Sequence, residues 1–164
     1  FGADAAGQLV PIHEPAIVLP PMPFFVHFAD IDGNGRPDLL TAHRDSSWSE
    51  NGDDQLSILR SDETGRLDPS TLRRHSTGTS PSTIASCDFN GDGIDDAVVA
   101  NSGDGWLTVV RGGDEPRVDT LDFSIQGHPS HMARADVDGD GRAELLVSAE
   151  GPGAVYLLRP VPSP

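Results

Sequence analysis

The chain has 164 residues, which is enough to bury one sizeable core without invoking a second domain. A formal net charge of −15 argues against a nucleic-acid partner, because the chain has no basic cluster that could neutralise a run of phosphates. No stretch is long and apolar enough to span a membrane, and Phe1 in place of an initiator methionine indicates a chain processed or excised from something longer.

The first 22 residues predict one outer strand of a repeating unit. The segment Gly7-Gln8-Leu9 resembles Gly65-Arg66-Leu67, which begins the last run of the next unit. The number of residues from Leu9 to Asp30 equals the number from Leu67 to Asp88. We therefore expect residues 1–22 to supply the fourth strand of a unit whose first three strands are absent from this chain.

The unit over residues 23–80 begins at Pro23 and contains four short runs of apolar and β-branched residues. Gly, Asp, Asn and Pro bound these runs, which predicts four antiparallel strands rather than helices. An insertion over residues 44–54, which carries Trp48, follows the second run, and such insertions belong on loops. The four runs occupy residues 24–29, 39–43, 56–60 and 67–75.

Two further units, over residues 81–128 and 129–164, repeat the same order and begin at Pro81 and Pro129. The third unit lacks its last run. The runs occupy residues 82–87, 97–101, 107–111 and 117–125 in the second unit, and residues 130–135, 145–150 and 155–159 in the third.

Four-stranded units repeating at about 40–50 residues are typical of the blades of a β-propeller. The sequence therefore predicts an all-β chain of three four-stranded antiparallel repeats. The N-terminal segment supplies a fourth strand without its first three, and the last repeat has three strands without a fourth. Three blades fall short of the usual minimum of about four. We expect a partial propeller whose remaining blades lie in a longer chain, or a homodimer that completes a six-bladed ring.

An acidic loop of one pattern separates the first two runs of every unit. Oxygen-bearing side chains stand at positions 1, 3, 5 and 9, and glycine stands at positions 4 and 6. The alternation directs hard oxygen ligands at one point, and the glycines let the position 7 carbonyl join them, which suits Ca²⁺. Three copies predict three Ca²⁺ sites. The loops are Asp30-Ile-Asp-Gly-Asn-Gly-Arg-Pro-Asp38, Asp88-Phe-Asn-Gly-Asp-Gly-Ile-Asp-Asp96 and Asp136-Val-Asp-Gly-Asp-Gly-Arg-Ala-Glu144.

These loops, the proline before each of them and the apolar strand after each resemble the FG-GAP/VCBS repeat family, the integrin-α-like propellers. The resemblance covers nearly the whole chain and implies one Ca²⁺ between the first two strands of each blade. Because Asn34 and Asn90 each remove one charge, we expect the third loop to bind most tightly. The implied ligands are Asp30, Asp32, Asn34, the Arg36 carbonyl and Asp38; Asp88, Asn90, Asp92, the Ile94 carbonyl and Asp96; and Asp136, Asp138, Asp140, the Arg142 carbonyl and Glu144.

Two other interpretations of the loops are weaker. An EF-hand, or its two-copy relative the dockerin module, requires a Glu at position 12 and a following helix. Position 12 is Thr41, Val99 or Val147, each inside a β-branched run. Ordinary turns that bind nothing need only one or two Asp or Gly residues and have no use for four spaced oxygens.

No catalytic signature appears, so the sequence predicts no enzyme activity for this chain. We expect Cys87 to be a small buried residue. Three side chains are candidates for contact with a ligand: His43 at the end of a predicted strand, Trp48 in the polar insertion and Trp106 at the start of a strand. Each has an ordinary alternative, a turn residue for His43 and packing between blades for Trp106.

The sequence thus predicts a calcium-binding recognition module at the cell surface or outside the cell, which binds a protein or a glycan through its loop face. Calcium loops of moderate affinity suit extracellular calcium levels. Members of the resembled family include adhesion and lectin-like propellers, and the resemblance permits both. The alternative is an accessory or structural propeller portion of a larger secreted hydrolase or lyase.

Overall fold

A computed structural model of the chain describes residues 2–3, 9–10, 17–44 and 54–159. Within these ranges the chain is all-β, without an α-helix, as the sequence predicts. Most of the insertion that follows the second strand of the first unit, including Trp48, lies outside the described residues. The strands are β1 Gly2–Ala3, β2 Leu9–Val10, β3 Pro23–Ala29, β4 Asp38–His43, β5 Gln55–Leu59, β6 Arg73–Ser76, β7 Pro81–Cys87, β8 Asp96–Asn101, β9 Trp106–Arg111, β10 Arg117–Ser124, β11 His128–Ala135, β12 Glu144–Glu150 and β13 Ala154–Leu158.

Three antiparallel sheets follow one another along the chain, and we call them blades 1, 2 and 3. Blade 1 has the order β3-β4-β5-β6 and blade 2 the order β7-β8-β9-β10. Blade 3 has three described strands in the order β11-β12-β13. These sheets confirm the predicted strand order, and their strands match the predicted runs except in the last strand of blade 1. None of the helices in the described part of the chain is long and apolar enough to cross a membrane.

Strands β1 and β2 pair with each other, Gly2 opposite Val10 and Ala3 opposite Leu9. They form a separate two-stranded sheet in the structure. The assignment of residues 1–22 to the outer edge of another blade stays a prediction.

The last strand of blade 1 is shorter than predicted. A 3₁₀ helix over Pro69–Thr71 interrupts the expected run over residues 67–75, and β6 starts only at Arg73. Asp68 caps this helix by accepting a hydrogen bond from the Ser70 amide at 2.9 Å. Pro69, which lacks an amide hydrogen and has a fixed φ, suits the first helical position and cannot donate to a strand ladder.

The proline at the first or second position of each blade marks a break in the strand register. Pro23, Pro81 and Pro129 each pair with a residue at the end of the second strand, and the register shifts before the next pair. Since proline donates no ladder hydrogen bond, it is tolerated at the first position of a strand and beside a bulge. The shift therefore recurs at the end of each blade that lies away from the acidic loops.

Two hydrophobic clusters join neighbouring blades. The first packs Leu40 and Ile58 of blade 1 against Ile84 and Val99 of blade 2. The second packs Val98 and other blade 2 residues against blade 3. Strands β4 and β8 are buried at every position, because central strands covered on both faces leave no polar side to expose. Full burial of one such Leu or Ile side chain contributes about 1.5–3 kcal/mol.

Candidate metal centres in three equivalent loops

We call residues 30–38, 88–96 and 136–144 loops 1, 2 and 3. Each joins the first strand of a blade to the second, so all three lie at the same end of their sheets. In loop 1 the φ angles of Gly33 and Gly35 are 75° and 80°. Side chains rarely adopt these values, which explains the glycine at positions 4 and 6.

The side chains at positions 1 and 5 hold the same turn in every loop. The position 1 carboxylate accepts a hydrogen bond from the position 6 amide, and the position 5 side chain accepts one from the position 7 amide. The first bond measures 2.8 Å for Asp30–Gly35, 2.8 Å for Asp88–Gly93 and 3.0 Å for Asp136–Gly141. The second measures 2.8 Å for Asn34–Arg36, Asp92–Ile94 and Asp140–Arg142.

The acid at position 9 is buried in each loop: Asp38, Asp96 and Glu144 are 0%, 0% and 3% exposed. One oxygen of each accepts a hydrogen bond from the position 2 amide of its own loop, at 3.2, 3.0 and 2.7 Å respectively. The other oxygen of Asp38 and of Asp96 reaches the chain just beyond the third strand. The Ser61 amide donates to Asp38 at 2.8 Å, and the Gly112 amide donates to Asp96 at 2.9 Å.

Asp38 and Asp96 therefore fasten loops 1 and 2 to the chain beyond the third strand of their blades. Burial raises the pKa of the Asp38 and Asp96 carboxyls above their ordinary value, while their backbone hydrogen bonds lower it. The sequence predicts these residues only as metal ligands. Their hydrogen bonds to Ser61 and Gly112 join residues that are distant along the chain, so the loop pattern does not reveal them.

Loops 1 and 3 bring three carboxylates together. One oxygen each from Asp30, Asp32 and Asp38 lie within 4.8 Å of one another, and so do oxygens from Asp136, Asp138 and Glu144. These two clusters could hold a metal ion. Asp140, at position 5 of loop 3, does not belong to its cluster among the described residues.

An unsatisfied oxygen in loop 1 fits a cation. Asp30 Oδ1 is buried and has no hydrogen-bond partner among the described residues, although Oδ2 of the same carboxylate is satisfied. A buried carboxylate oxygen without a partner is costly and calls for an explanation such as a bound ion. With only oxygen atoms at hand, the donor set suits a hard cation such as Ca²⁺.

Loop 2 differs. The described residues show no group of three carboxylates there. Asn90 occupies position 3, and its Nδ2 donates to Asp92 Oδ2 at 2.8 Å. Asp88 Oδ1 accepts a hydrogen bond from the Gly91 amide, as Asp136 Oδ1 does from the Gly139 amide in loop 3, so this bond does not distinguish the loops. The distinguishing feature is the Asn90 amide, which occupies an Asp92 oxygen that a metal would need, and metal binding in loop 2 stays a prediction.

Two arginines contact the loops, and the sequence analysis did not single them out. Arg60 follows β5, and its Nε lies 3.8 Å from Asp32 Oδ2. Arg159 follows β13, with Nη2 at 3.2 Å from Asp138 Oδ2 and Nε at 3.4 Å from Glu144 Oε1. The signal in the sequence was the arginine at the end of every predicted third strand, which includes Arg111 in blade 2.

Of the other residues that the sequence analysis singled out, His43 and Trp106 lie away from the loops, whereas Cys87 directly precedes loop 2. His43 is 1% exposed, its Nδ1 contacts the Pro21 carbonyl at 3.1 Å, and burial lowers its pKa. This burial argues against the prediction that His43 contacts a ligand at the surface. Trp106 begins β9 and is 39% exposed, so it stays a candidate. Cys87 is buried and free, which confirms its prediction, and burial raises the pKa of its thiol to about 12.

A cleft lined by both apolar and polar side chains opens at the end of the sheets opposite the loops. Its volume is about 400 Å³, and residues of all three blades line it. The Arg44 guanidinium stacks on the exposed Phe24 ring at 3.7 Å, while Arg44 Nε donates to the Pro81 carbonyl at 2.7 Å. Exposed His131 and Glu150 line the blade 3 side.

The family model for FG-GAP-like repeats matches the chain twice, over residues 30–99 and over residues 88–147. Each match begins at the first residue of an acidic loop and ends inside the second strand of the next blade. A search of curated protein sequences finds no match to the chain.

Proposed function

The chain belongs to the FG-GAP-like repeat family, and on this premise we propose that it is a calcium-binding, non-catalytic recognition module built from propeller blades. Repeats of this family are typical of extracellular proteins, and extracellular calcium levels suit loops of this kind. The proposal therefore includes a place outside the cell or on its surface.

The observation that carries the calcium proposal is the unpartnered Asp30 Oδ1 inside a group of three carboxylates. In loop 1 the bound ion would be held by Asp30, Asp32 and Asp38, with the Asn34 side chain and the Arg36 carbonyl. When bound, the ion supplies positive charge that offsets the repulsion among the carboxylates.

Calcium in these loops would act on the blade through the position 9 acids. Asp38 links the loop 1 interior to the Ser61 amide beyond β5, and Asp96 makes the equivalent link to Gly112 in blade 2. Ordering the loop therefore orders the junction of the first, second and third strands. We propose that the ions stabilise the blades rather than take part in chemistry.

Calorimetric titration with CaCl₂ tests this proposal. We expect the wild-type chain to bind calcium with dissociation constants on the order of 10⁻⁴–10⁻³ M, and to melt at a higher temperature in calcium than in chelator. Asp30→Asn removes the unpartnered oxygen's charge and is expected to abolish one binding event. The matched control is Glu150→Gln, which removes an equal charge from an exposed position at the other end of blade 3.

No calcium-dependent heat and no shift in melting temperature in the wild-type chain would show that the calcium proposal is wrong. Loss of one event in both variants would instead indicate that only the overall negative charge matters. The site in loop 1 would then lack support.

For the recognition role, the cleft bounded by Phe24, His131 and Glu150 is the best-supported place for a protein or glycan ligand. It combines an exposed aromatic ring with polar and charged groups, which is how sugar rings and polar protein surfaces are bound. A glycan array probed in calcium tests the glycan alternative. Binding that is lost in Phe24→Ala and kept in Val155→Ala, a change at an exposed residue of β13, would support this cleft.

The remaining blades are proposed to come from a second copy or from a longer chain. Among the described strands β13 pairs only with β12, and Val155 and Leu157 on β13 are 66% and 43% exposed. Light scattering in calcium separates the two sources. A discrete dimer would support ring closure by a second copy, and a monomer would place the other blades in a longer chain.

A further inference from the structure

One arginine stands at the same place in every blade, at the end of the third strand: Arg60, Arg111 and Arg159. In blades 1 and 3 it reaches the position 3 carboxylate of the blade's own loop. Arg60 Nε lies 3.8 Å from Asp32 Oδ2, and Arg159 Nη2 lies 3.2 Å from Asp138 Oδ2. The pairing thus repeats between two blades that are distant in the chain.

We propose that Arg60 and Arg159 are built-in counter-ions that tune the metal affinity of loops 1 and 3. This inference rests on the proposed calcium function. Without the metal, each guanidinium offsets part of the repulsion among the loop carboxylates and keeps the loop folded. With the metal, the same positive charge repels the ion and weakens its binding.

The size of the effect follows from charge and distance. A guanidinium paired with a carboxylate that would also bind a divalent cation would repel that cation, and solvent and salt would screen part of the repulsion. Removing the charge is therefore expected to tighten calcium binding by about two- to tenfold. Affinities of calcium loops respond to ligand charge in the same way, because each added or removed unit charge acts at short range.

The two arginines differ in how firmly they are held. Arg60 Nη2 donates to the Gly113 carbonyl at 3.3 Å and also to the Asp114 carbonyl, both beyond β9 of blade 2. The Gly113 amide in turn donates to the Ile31 carbonyl of loop 1 at 2.8 Å. Arg60 is thus fixed between loop 1 and blade 2, and its charge stays beside the loop when Asp32 turns to an ion.

Arg159 has more freedom. Its side chain is 60% exposed, against 23% for Arg60, and its ion pairs in the described part of the chain are with Asp138 and Glu144 of loop 3. With those carboxylates engaged by an ion, the exposed guanidinium would be free to turn into solvent. We therefore expect Arg60 to weaken binding at loop 1 more than Arg159 weakens binding at loop 3.

The test measures each loop separately by NMR. The Gly35 and Gly141 amides donate to the position 1 carboxylates of loops 1 and 3, so their resonances report the two sites individually. CaCl₂ titrations compare wild type, Arg60→Gln, Arg159→Gln and Arg74→Gln. The last is the control, because it removes an equal charge from exposed Arg74, which lies on the outer strand β6 opposite Ser57 and has no ion pair with the loops among the described residues.

We expect Arg60→Gln to tighten the Gly35 titration by about three- to tenfold and Arg159→Gln to tighten the Gly141 titration by about two- to threefold. Arg74→Gln should change neither titration. Both loop variants should also melt at lower temperature than the control in chelator. If Arg60→Gln does not fold in chelator, Arg60→Met offers a second neutral side chain of similar length for the loop 1 titration. Arg159→Gln still tests loop 3, because it changes an exposed residue.

The outcomes separate this inference from the calcium proposal. If the wild-type Gly35 and Gly141 amides respond to calcium but the loop variants titrate as Arg74→Gln does, the arginines are not counter-ions and the calcium proposal stands. If neither wild-type amide responds up to millimolar calcium, both proposals are wrong.

Discussion

The Ile94 side chain of loop 2 packs over Gly33 of loop 1, so that a Cβ added to Gly33 would lie 3.0 Å from Ile94 Cγ1. Two acidic loops from neighbouring blades therefore touch through a glycine and an aliphatic side chain. A side chain at Gly33 would require Ile94 to shift, and the φ of 75° at this position already favours glycine.

Gly33→Ala is predicted to destabilise the chain more than Gly35→Ala. Both alanines adopt a left-handed conformation, which costs about 1–2 kcal/mol. Only the alanine at position 33 also meets Ile94, whereas an added Cβ at Gly35 has no neighbour within 4 Å. Urea denaturation of the two variants in chelator measures the difference. Equal losses of stability would show that Ile94 moves aside without cost.

Asp96→Asn is predicted to lower the free energy of unfolding by about 1–3 kcal/mol, even without calcium. The buried carboxylate accepts hydrogen bonds from the Phe89 and Gly112 amides, and an amide group would turn an NH₂ toward one of those donors. Urea denaturation in chelator provides the measurement. The control is Asp114→Asn, the same chemical change at an exposed side chain. Similar stability of the two variants would show that Asp96 does not fasten the loop.

Asn90→Asp is predicted to tighten calcium binding at loop 2 and to destabilise the metal-free chain. The change gives loop 2 the carboxylate that loops 1 and 3 have at position 3, and added ligand charge raises affinity for calcium. It also removes the hydrogen bond from Asn90 Nδ2 to Asp92 Oδ2 and sets two like charges together. Titration of the Gly93 amide in NMR spectra follows this loop. An unchanged Gly93 titration would show that ligand charge does not limit loop 2.

Lowering the pH below 6.5 is predicted to destabilise the chain through histidines that are buried or half-buried. Burial lowers the pKa of His27 below its ordinary value of 6.5, and its Nε2 contacts Ser86 Oγ at 3.0 Å. Because the unfolded chain then binds more protons than the folded chain, the free energy of unfolding falls as the pH drops through 6.5 toward the folded pKa. Burial acts in the same direction on His43 and His75.

The His27→Gln variant isolates this effect in urea denaturation with chelator. The stability advantage of wild type over His27→Gln should shrink as the pH falls from 7.5 to 5.5, because only wild type has the imidazole to protonate. The advantage over His131→Gln, a change at an exposed histidine, serves as the control. An advantage over His27→Gln that is independent of pH would contradict the prediction.

The sequence alone determined the repeat, the strand order of each blade and the composition of the loops. All of this information is local: nine consecutive residues carry each loop, and each strand is a continuous run of apolar and β-branched residues. The shortening of β6 relative to its predicted run also had a local cause, because Asp68 and Pro69 start a short helix within that run.

Only the tertiary structure decided which distant residues complete the loops. Asp32 and Arg60 meet because β4 and β5 return the chain to the loop end of blade 1. Asp96 and Gly112 meet through the equivalent path in blade 2. His43, which the sequence left open as a surface residue, is covered instead by the segment that contains Pro21. Such contacts follow from strand pairing and blade packing, which act between residues that the sequence pattern does not relate.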